Sequence, residues 1–190
     1  ELFTLPGQFW KWRMHGGAVT LARMFMESEL QPDLILTTDM LDLTIFLSLT
    51  RSRTANIPTA VYFHENQLSY PWSTTDRDVG EKRNVHYGFI NYTTALTADH
   101  VFFNSQYHMN SFLTEARKML KHFPDHNELE TLKIITGKSS VLHLGLDLSR
   151  LDEHRSEKES GTPLLLWNHR WEYDKNPEDF FNVLKILSEK

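Results

Sequence analysis

Cysteine is absent from this 190-residue sequence, which excludes a disulfide framework and any metal site built on thiolates. The chain also has no run of 18 apolar residues and no signal-peptide pattern, so we expect neither a membrane-spanning helix nor a secreted product. The net charge of −5 gives no general attraction to nucleic acids or to anionic membranes. The sequence therefore predicts a soluble, cytoplasmic protein whose binding to any polyanion depends on a local basic patch.

The remaining composition is that of an ordinary globular protein, with 40% apolar and 24% charged residues. The length allows one domain and part of a second. We expect a first domain over residues 1–149, a charged linker over 150–162, and the first strand-helix unit of a second domain over 163–190. The chain begins at Glu1 and ends on a helical pattern, so we also expect it to be a piece of a longer protein.

Short apolar runs typical of strands alternate with segments of helical periodicity along the chain. Strands are predicted at ELFTLPGQFW, PDLILTT, IPTAVYFHE, DHVFFNS, SSVLHLGLD and, after the linker, Leu164–Trp167. Helices are predicted at VTLARMFMESEL, DMLDLTIFLSLTRS, VHYGFINYTTALTA, QYHMNSFLTEARKMLKHF and from about Pro177. This alternation favours an α/β fold in which helices cover a parallel sheet.

Two local features sharpen this prediction. The continuous apolar run Leu34–Leu36 is typical of a strand buried on both faces. Asp39 stands before the next helical pattern, where an aspartate commonly caps the helix N-terminus.

Polar side chains follow two of the predicted strands. His64, Glu65 and the amides Asn66 and Gln67 come after TAVYF, and Asn104-Ser105 come after VFF. Ligands of parallel α/β sheets bind at the carboxyl ends of the strands. The sequence therefore predicts a binding site at this edge of the sheet.

The segment NHRWEYDKNP places Arg170 and Lys175 between a predicted strand and a helix N-terminus. A guanidinium, an ammonium and free helix N–H groups together suit a phosphate. The alternative is a pair of ordinary surface cations, and the spacing alone leaves both interpretations open.

Several segments together resemble a known family. An arginine, four residues and a lysine form the diphosphate-binding element of retaining GT-B glycosyltransferases of family 4, and Arg170 and Lys175 have that separation. Those enzymes also carry a histidine matched by His64, and a domain crossing similar to LHLGLDLSRL. Asn168-His169 stand where the family has a glycine. With LPGQFWKWR, YFHENQLSYP and FFNSQYHMNSF, the chain resembles the tRNA-queuosine α-mannosyltransferase group.

The resemblance implies a GT-B protein with a Rossmann-like first domain and the start of a second such domain. The implied reaction is transfer of mannose from GDP-mannose to queuosine in a tRNA anticodon, with retention. His64 would contact the transferred sugar, and Arg170 and Lys175 would stabilise the departing diphosphate. The nucleotide sugar is a substrate, and no cofactor or metal is implied. The family's glycine-rich first strand and its acidic donor-binding motif are missing, so we expect this chain alone to be inactive.

Other candidate contacts are less specific. Glu65 could stabilise an oxocarbenium-like state, accept the acceptor's proton, or hold His64 in one tautomer. The candidates for sugar or acceptor contacts are Asn66, Gln67, Asn104, Ser105 and His169. Amides in loops are also common turn residues, so this alternative stays open.

The motif QFWKWRMH interleaves aromatic and basic side chains. Stacking rings among cations suit a single-stranded anticodon loop, so Trp10, Lys11, Trp12 and Arg13 are predicted to bind tRNA. The alternative is a packed aromatic edge. Additional phosphate contacts are predicted at Arg51, Arg53, Arg77, Lys82 and Arg83.

Two other functions remain open: a GT-B transferase for a small or lipid-linked acceptor, and a non-catalytic module that binds a nucleotide sugar or a protein. The oligomeric state has no signature in the sequence.

Overall fold

The computed structural model describes residues 1–73, 76–80, 84–155, 161–162 and 164–189, without the side chains of residues 79, 80 and 84. Lys82, Arg83 and parts of the predicted linker and second domain (residues 156–160, 163 and 190) lie outside the described residues. The chain forms two compact units. The first comprises Glu1–Tyr70 and Arg77–Leu144, and the second comprises Pro71–Asp76 and Gly145–Lys190.

The first unit contains a four-stranded parallel sheet in the order β1-β2-β3-β4. Its strands are β1 (Ile35–Thr38), β2 (Thr59–Phe63), β3 (His100–Phe103) and β4 (Ser139–Val141). Its helices are α1 (Trp10–Glu27), α2 (Leu43–Thr54), α3 (Arg77–Gly80), α4 (Asn84–Thr97), α5 (Gln106–Lys121) and α6 (Thr131–Gly137). The predicted α/β, Rossmann-like fold is confirmed.

An aromatic cluster fixes the two central strands. Phe63 at the end of β2 lies 5.1 Å, between ring centroids, from Phe103 at the end of β3. Phe112 of α5 covers both rings at 5.1 and 5.3 Å. All three side chains are fully buried, so each contributes about 1.5–3 kcal/mol of hydrophobic stabilisation. The cluster anchors the backbone immediately before His64 and Asn104.

The N-terminal segment differs from the prediction. Residues Glu1 to Phe9 form no strand, and α1 begins at Trp10 rather than near Val19. The motif QFWKWRMH therefore lies mostly on a helix. The buried face of α1 is an apolar stripe at helical spacing: Met14, Gly17, Ala18, Ala22 and Phe25.

β1 is buried on one face only, so the prediction for Leu34–Leu36 is wrong. Leu34 and Leu36 are 56% and 63% exposed, while Ile35 packs against the core. The helices of this unit pack on the face that carries Val61 and Val101. A cavity of about 670 Å³ lies beside Leu36, lined by β1, parts of α1 and α2, and the N-terminal segment.

The predicted helix cap at Asp39 is also wrong. The N-cap of α2 is Asp42, whose Oδ1 accepts a hydrogen bond from the backbone N–H of Ile45 at 3.0 Å. Asp39 lies upstream of the helix and is fully buried. Its carboxylate is therefore available for a different partner.

Arg53 closes the C-terminal end of α1. Its guanidinium donates hydrogen bonds to the carbonyl oxygens of Phe25 (2.8 Å), Met26 (3.3 Å), Ser28 (2.8 Å) and Leu30. It also lies 4.5 Å from the centroid of the Phe25 ring. Helix C-terminal carbonyls attract cations. The predicted phosphate contact at Arg53 is therefore replaced by a structural role.

We expect Arg53→Ala to lower the free energy of unfolding by about 2–3 kcal/mol, because several carbonyls lose a charged donor. Urea denaturation followed by circular dichroism measures this change. Arg51→Ala, on the exposed side of the same helix, should change stability by less than about 0.5 kcal/mol. Equal effects of the two substitutions would contradict the structural role.

The second unit contains α7 (Ser149–Asp152), a short 3-10 helix (Tyr173–Lys175) and α8 (Pro177–Ser188). The prediction of a helix from Pro177 is confirmed. Leu164–Trp167 do not form the predicted strand, and Leu164 is 93% exposed. Trp167 packs on Phe180 of α8 with 4.7 Å between ring centroids. None of the described helices combines the length and apolarity needed to cross a bilayer.

Candidate functional site

Polar side chains from all four strands meet at the carboxyl edge of the sheet. Asp39 follows β1, His64 follows β2 and Asn104 follows β3, while His143 lies two residues beyond β4. Asp39 and Asn104 both form hydrogen bonds with the backbone of His64. His143 Nδ1 lies 3.0 Å from the backbone oxygen of Asn104. The parallel topology thus assembles this edge around the histidine that the sequence analysis singled out.

Asp39 and His64 form a close pair. Asp39 Oδ1 contacts His64 Nδ1 and accepts a second hydrogen bond, of 3.2 Å, from the His64 backbone N–H. The Asp39 side chain is 0% exposed and that of His64 is 50% exposed. The hydrogen bond to Asp39 raises the pKa of His64, burial opposes that rise, and the charges of Asp39 and Glu65 reinforce it.

The His64 backbone is held from the β3 side as well. Asn104 Nδ2 donates to the His64 carbonyl oxygen at 2.8 Å, and Asn104 Oδ1 lies 3.0 Å from His108 Nδ1. Ser105 caps α5, because its Oγ accepts from the His108 backbone N–H at 3.1 Å. Asn104 and Ser105, predicted as ligand contacts, are partly exposed and support the site through hydrogen bonds within the protein.

The loop after His64 is built by its own amides. Asn66 Oδ1 accepts hydrogen bonds from the backbone N–H groups of Leu68 (3.1 Å) and Ser69 (3.0 Å), which closes a turn. Gln67 Nε2 donates to Glu65 Oε1 at 3.0 Å. Asn66 and Gln67 are 3% and 5% exposed. The Asn66 amide oxygen and the Gln67 amide nitrogen thus shape the loop.

Two supporting residues were missed in the sequence. Asn91 of α4 is fully buried and bridges the site: its Nδ2 donates to the Asp39 backbone oxygen at 2.8 Å, and its Oδ1 accepts from the Gln67 N–H at 2.7 Å. His108 is 8% exposed, and burial lowers its pKa. Asn91 could have been identified as a polar residue within the otherwise apolar stretch GFINYTTALTA. The sequence carries no comparable signal for His108.

A metal ion is one chemical possibility for this cluster. Within the described parts of the chain, Asp39, His64 and Glu65 offer ligand atoms that all lie within 4.8 Å of one another. A metal bound through His64 Nδ1 would replace the hydrogen bond to Asp39. The closed Asp39–His64 pair favours an acid-base or hydrogen-bonding role over coordination.

In the second unit, the predicted diphosphate residues precede α8 in the chain. Arg170 pairs with Glu172 at 3.1 Å, and Lys175 pairs with Asp174 at 2.8 Å. The hydrogen bond from Lys175 lowers the pKa of Asp174. Asn176 precedes the helix in a left-handed conformation (φ 49°) and gives it no side-chain cap. Lys175 therefore lies two residues before α8, whose first turn also carries two acidic side chains.

His169, the remaining predicted contact in this unit, is exposed. Its ring meets that of Trp167 edge-on, with 5.4 Å between centroids.

The residues of QFWKWRMH divide into packed and exposed ones. Trp10 packs on Tyr87 with 5.3 Å between ring centroids. Lys11 pairs with Asp78 at 2.5 Å, and Arg13 Nε donates to the Pro6 carbonyl oxygen at 3.4 Å. These contacts favour the packed-edge alternative for Trp10, and they hold both cations against the protein.

Trp12 is different, since it is 63% exposed. Its ring lies over Gly16, where an added Cβ would come within 2.6 Å of the ring. It borders a surface hollow of about 380 Å³ that His15 and His86 also line. These two imidazoles stack at 4.7 Å, and burial, followed by the neighbouring His86, lowers the pKa of His15. We call Trp12, His15 and His86 the aromatic patch.

Residues 1–146 match the family model described as tRNA-queuosine alpha-mannosyltransferase N-terminal. The chain belongs to this family. A tRNA-queuosine alpha-mannosyltransferase of Drosophila melanogaster is 33% identical over 198 residues, an alignment that covers 100% of this chain and 51% of that protein. This member of the tRNA-queuosine alpha-mannosyltransferase family thus spans about half the length of the relative it matches. The resemblance stated from the sequence motifs is confirmed.

Proposed function

We propose that the full-length protein transfers mannose from GDP-mannose to queuosine in a tRNA anticodon, with retention of configuration, in the cytoplasm. The observation that carries the proposal is the Asp39–His64 pair at the carboxyl edge of the sheet, in a chain of this family. A buried carboxylate beneath a half-exposed imidazole is an arrangement suited to a reaction centre.

In this proposal, the His64 imidazole hydrogen-bonds a hydroxyl of the transferred sugar as the leaving group departs. Glu65 lies beside it and adds negative charge where an oxocarbenium-like state develops. Arg170 and Lys175 bind the diphosphate, assisted by the N–H groups of α8. GDP-mannose is a substrate, and the proposal includes no cofactor.

The acceptor assignment is supported by the chain path of the first unit. α4 leads from the carboxyl end of β2 to the amino end of β3, so His86 and Tyr87 in its first turn lie at the carboxyl end. The first turns of α1 contact both residues. The aromatic patch is therefore at the same end of the sheet as His64, where a flipped-out anticodon base could stack on Trp12.

The reaction is tested by incubating full-length protein with total tRNA and GDP-mannose, then digesting the tRNA and measuring nucleoside masses. We expect a hexose added to queuosine. Transfer to a lipid-linked or small acceptor, with unmodified tRNA, would favour the second GT-B alternative. Donor binding without transfer to any acceptor would favour a non-catalytic module.

We expect Trp12→Ala to weaken tRNA binding by about 1–3 kcal/mol, because one stacked base loses its aromatic partner. Fluorescence anisotropy with an anticodon stem-loop measures the dissociation constant. Hydrolysis of GDP-mannose without tRNA should be unchanged. Phe123→Ala, which removes an exposed ring just beyond the end of α5, is the matched control and should leave tRNA affinity unaltered.

Gly16→Ala separates stacking from stability. The new Cβ would displace the Trp12 ring, which is free to swing outward because it is exposed. Alanine is also the better helix former by up to about 1 kcal/mol. A stable Gly16→Ala protein with weakened tRNA binding supports the stacking role. Trp12→Ala protein that melts earlier but binds tRNA normally would assign Trp12 to packing.

A further inference from the structure

We infer that Asp39 is a positioning residue for His64, fixing the orientation and the tautomer of the imidazole that acts in transfer. This inference rests on the proposed function of His64. Asp39 itself does not touch substrate, since its side chain is 0% exposed.

The carboxylate controls both the ring and the backbone of His64. One oxygen, Oδ1, is bonded to the ring Nδ1 and to the backbone N–H of the same residue. Asn91 holds the Asp39 backbone oxygen at 2.8 Å and is itself fully buried. The carboxylate that orients the ring is therefore itself buried and held from within the protein.

This contact dictates the tautomer. An ionised carboxylate only accepts hydrogen bonds, so His64 Nδ1 must carry the proton that it donates to Asp39. Nε2 is then the ring nitrogen presented to a substrate: an acceptor in the neutral ring and a donor in the imidazolium. Free neutral histidine favours the opposite tautomer, with its proton on Nε2.

The same contact sets the charge of the ring. Among the described residues, the titratable groups that act on or are affected by His64 include Asp39 at the end of β1, Glu65 in its own loop, and His108 on α5. Burial lowers the pKa of His108, and the charges of Asp39 and Glu65 favour the imidazolium form of His64. Since the hydrogen bond to Asp39 raises the pKa of His64, the imidazolium persists to higher pH than in an unpaired histidine.

The tautomer is measured by NMR on full-length protein with ¹⁵N-labelled histidine, which requires no catalysis. We expect neutral His64 to carry its proton on Nδ1. In Asp39→Asn we expect the pKa of His64 to fall, because the anionic hydrogen-bond partner is lost. Asp42→Asn removes the carboxylate that caps α2, three residues from Asp39 in the chain, and should leave the pKa of His64 unchanged. A wild-type Nε2–H tautomer, or equal effects of the two substitutions, would overturn the inference.

A double-mutant cycle tests the consequence for transfer. We expect Asp39→Asn to lower kcat about tenfold, to shift the His64 limb of the pH–rate profile to lower pH, and to leave the KM for tRNA unchanged. In the His64→Ala background, the same substitution should cost less than about twofold, because its target is gone. An equal loss in both backgrounds would assign Asp39 to general stability. Wild-type protein that transfers no mannose would refute the proposed function, while the NMR result would still decide the role of Asp39.

Discussion

Full-length protein carrying His64→Ala is expected to turn over about 100- to 1,000-fold more slowly than wild type, with tRNA affinity unchanged within about twofold. The loss arises because the transferred sugar no longer meets an imidazole already oriented by Asp39. The aromatic patch that we assign to tRNA lies on α1 and α4 and is intact in this variant. Single-turnover rates at saturating GDP-mannose, together with anisotropy for tRNA, measure the two quantities.

His100→Ala is the matched control for this substitution. His100 is the first residue of β3, at the amino edge of the sheet, where its Nε2 lies 3.0 Å from Ser140 Oγ. Removing it should leave turnover unchanged. Unaltered turnover in His64→Ala at saturating donor would end the assignment of His64, and equal losses in both variants would point to a general loss of folding.

The second large effect is expected at Lys175. We expect Lys175→Ala to lower turnover by about 100-fold, because one preorganised cation no longer faces the charge that develops on the departing diphosphate. The exposed side chain precedes the first turn of α8, whose backbone N–H groups favour an anion, while two acidic side chains of the same turn oppose it. Initial rates of mannosyl transfer at saturating tRNA give the measurement.

Lys185→Ala supplies the comparison for Lys175, because it removes the same charge from the last turn of the same helix. Its turnover should match that of wild type. GDP should bind Lys175→Ala more weakly, whereas guanosine, which lacks phosphate, should bind both variants equally. Wild-type turnover in Lys175→Ala would mean that the lysine is an ordinary surface cation.

Most of the order of strands and helices could be predicted because it depends on local sequence patterns of apolar and polar residues. β2 and β3 are short apolar runs that end in polar residues, and α5 ends just before Pro124, as its pattern indicates. The burial of β1 could not be predicted in this way. Leu34–Leu36 is as apolar as a central strand, but exposure depends on which face the helices cover, and that is decided by contacts far along the chain.

The site shows the same division between local and distant information. His64 could be identified because it follows a buried strand, which is a local pattern. Asp39 could not, since Asp39 and Asp42 both precede α2 and both satisfy the capping rule. Only the pairing of β1 with β2 decides between them, because it brings Asp39 to a histidine 25 positions later. Arg53 illustrates the same limit, since its carbonyl partners lie more than 20 residues earlier.

Both backbone polar groups of His64 are hydrogen-bonded: Asp39 accepts from the N–H, and Asn104 donates to the carbonyl oxygen. A loop residue that is already confined has little conformational freedom left to lose. Ordering one backbone residue costs about 1–2 kcal/mol, and here that cost is met during folding instead of during substrate binding. In the proposed reaction, the free energy of each sugar contact made by His64 would therefore not be reduced by the cost of ordering its loop.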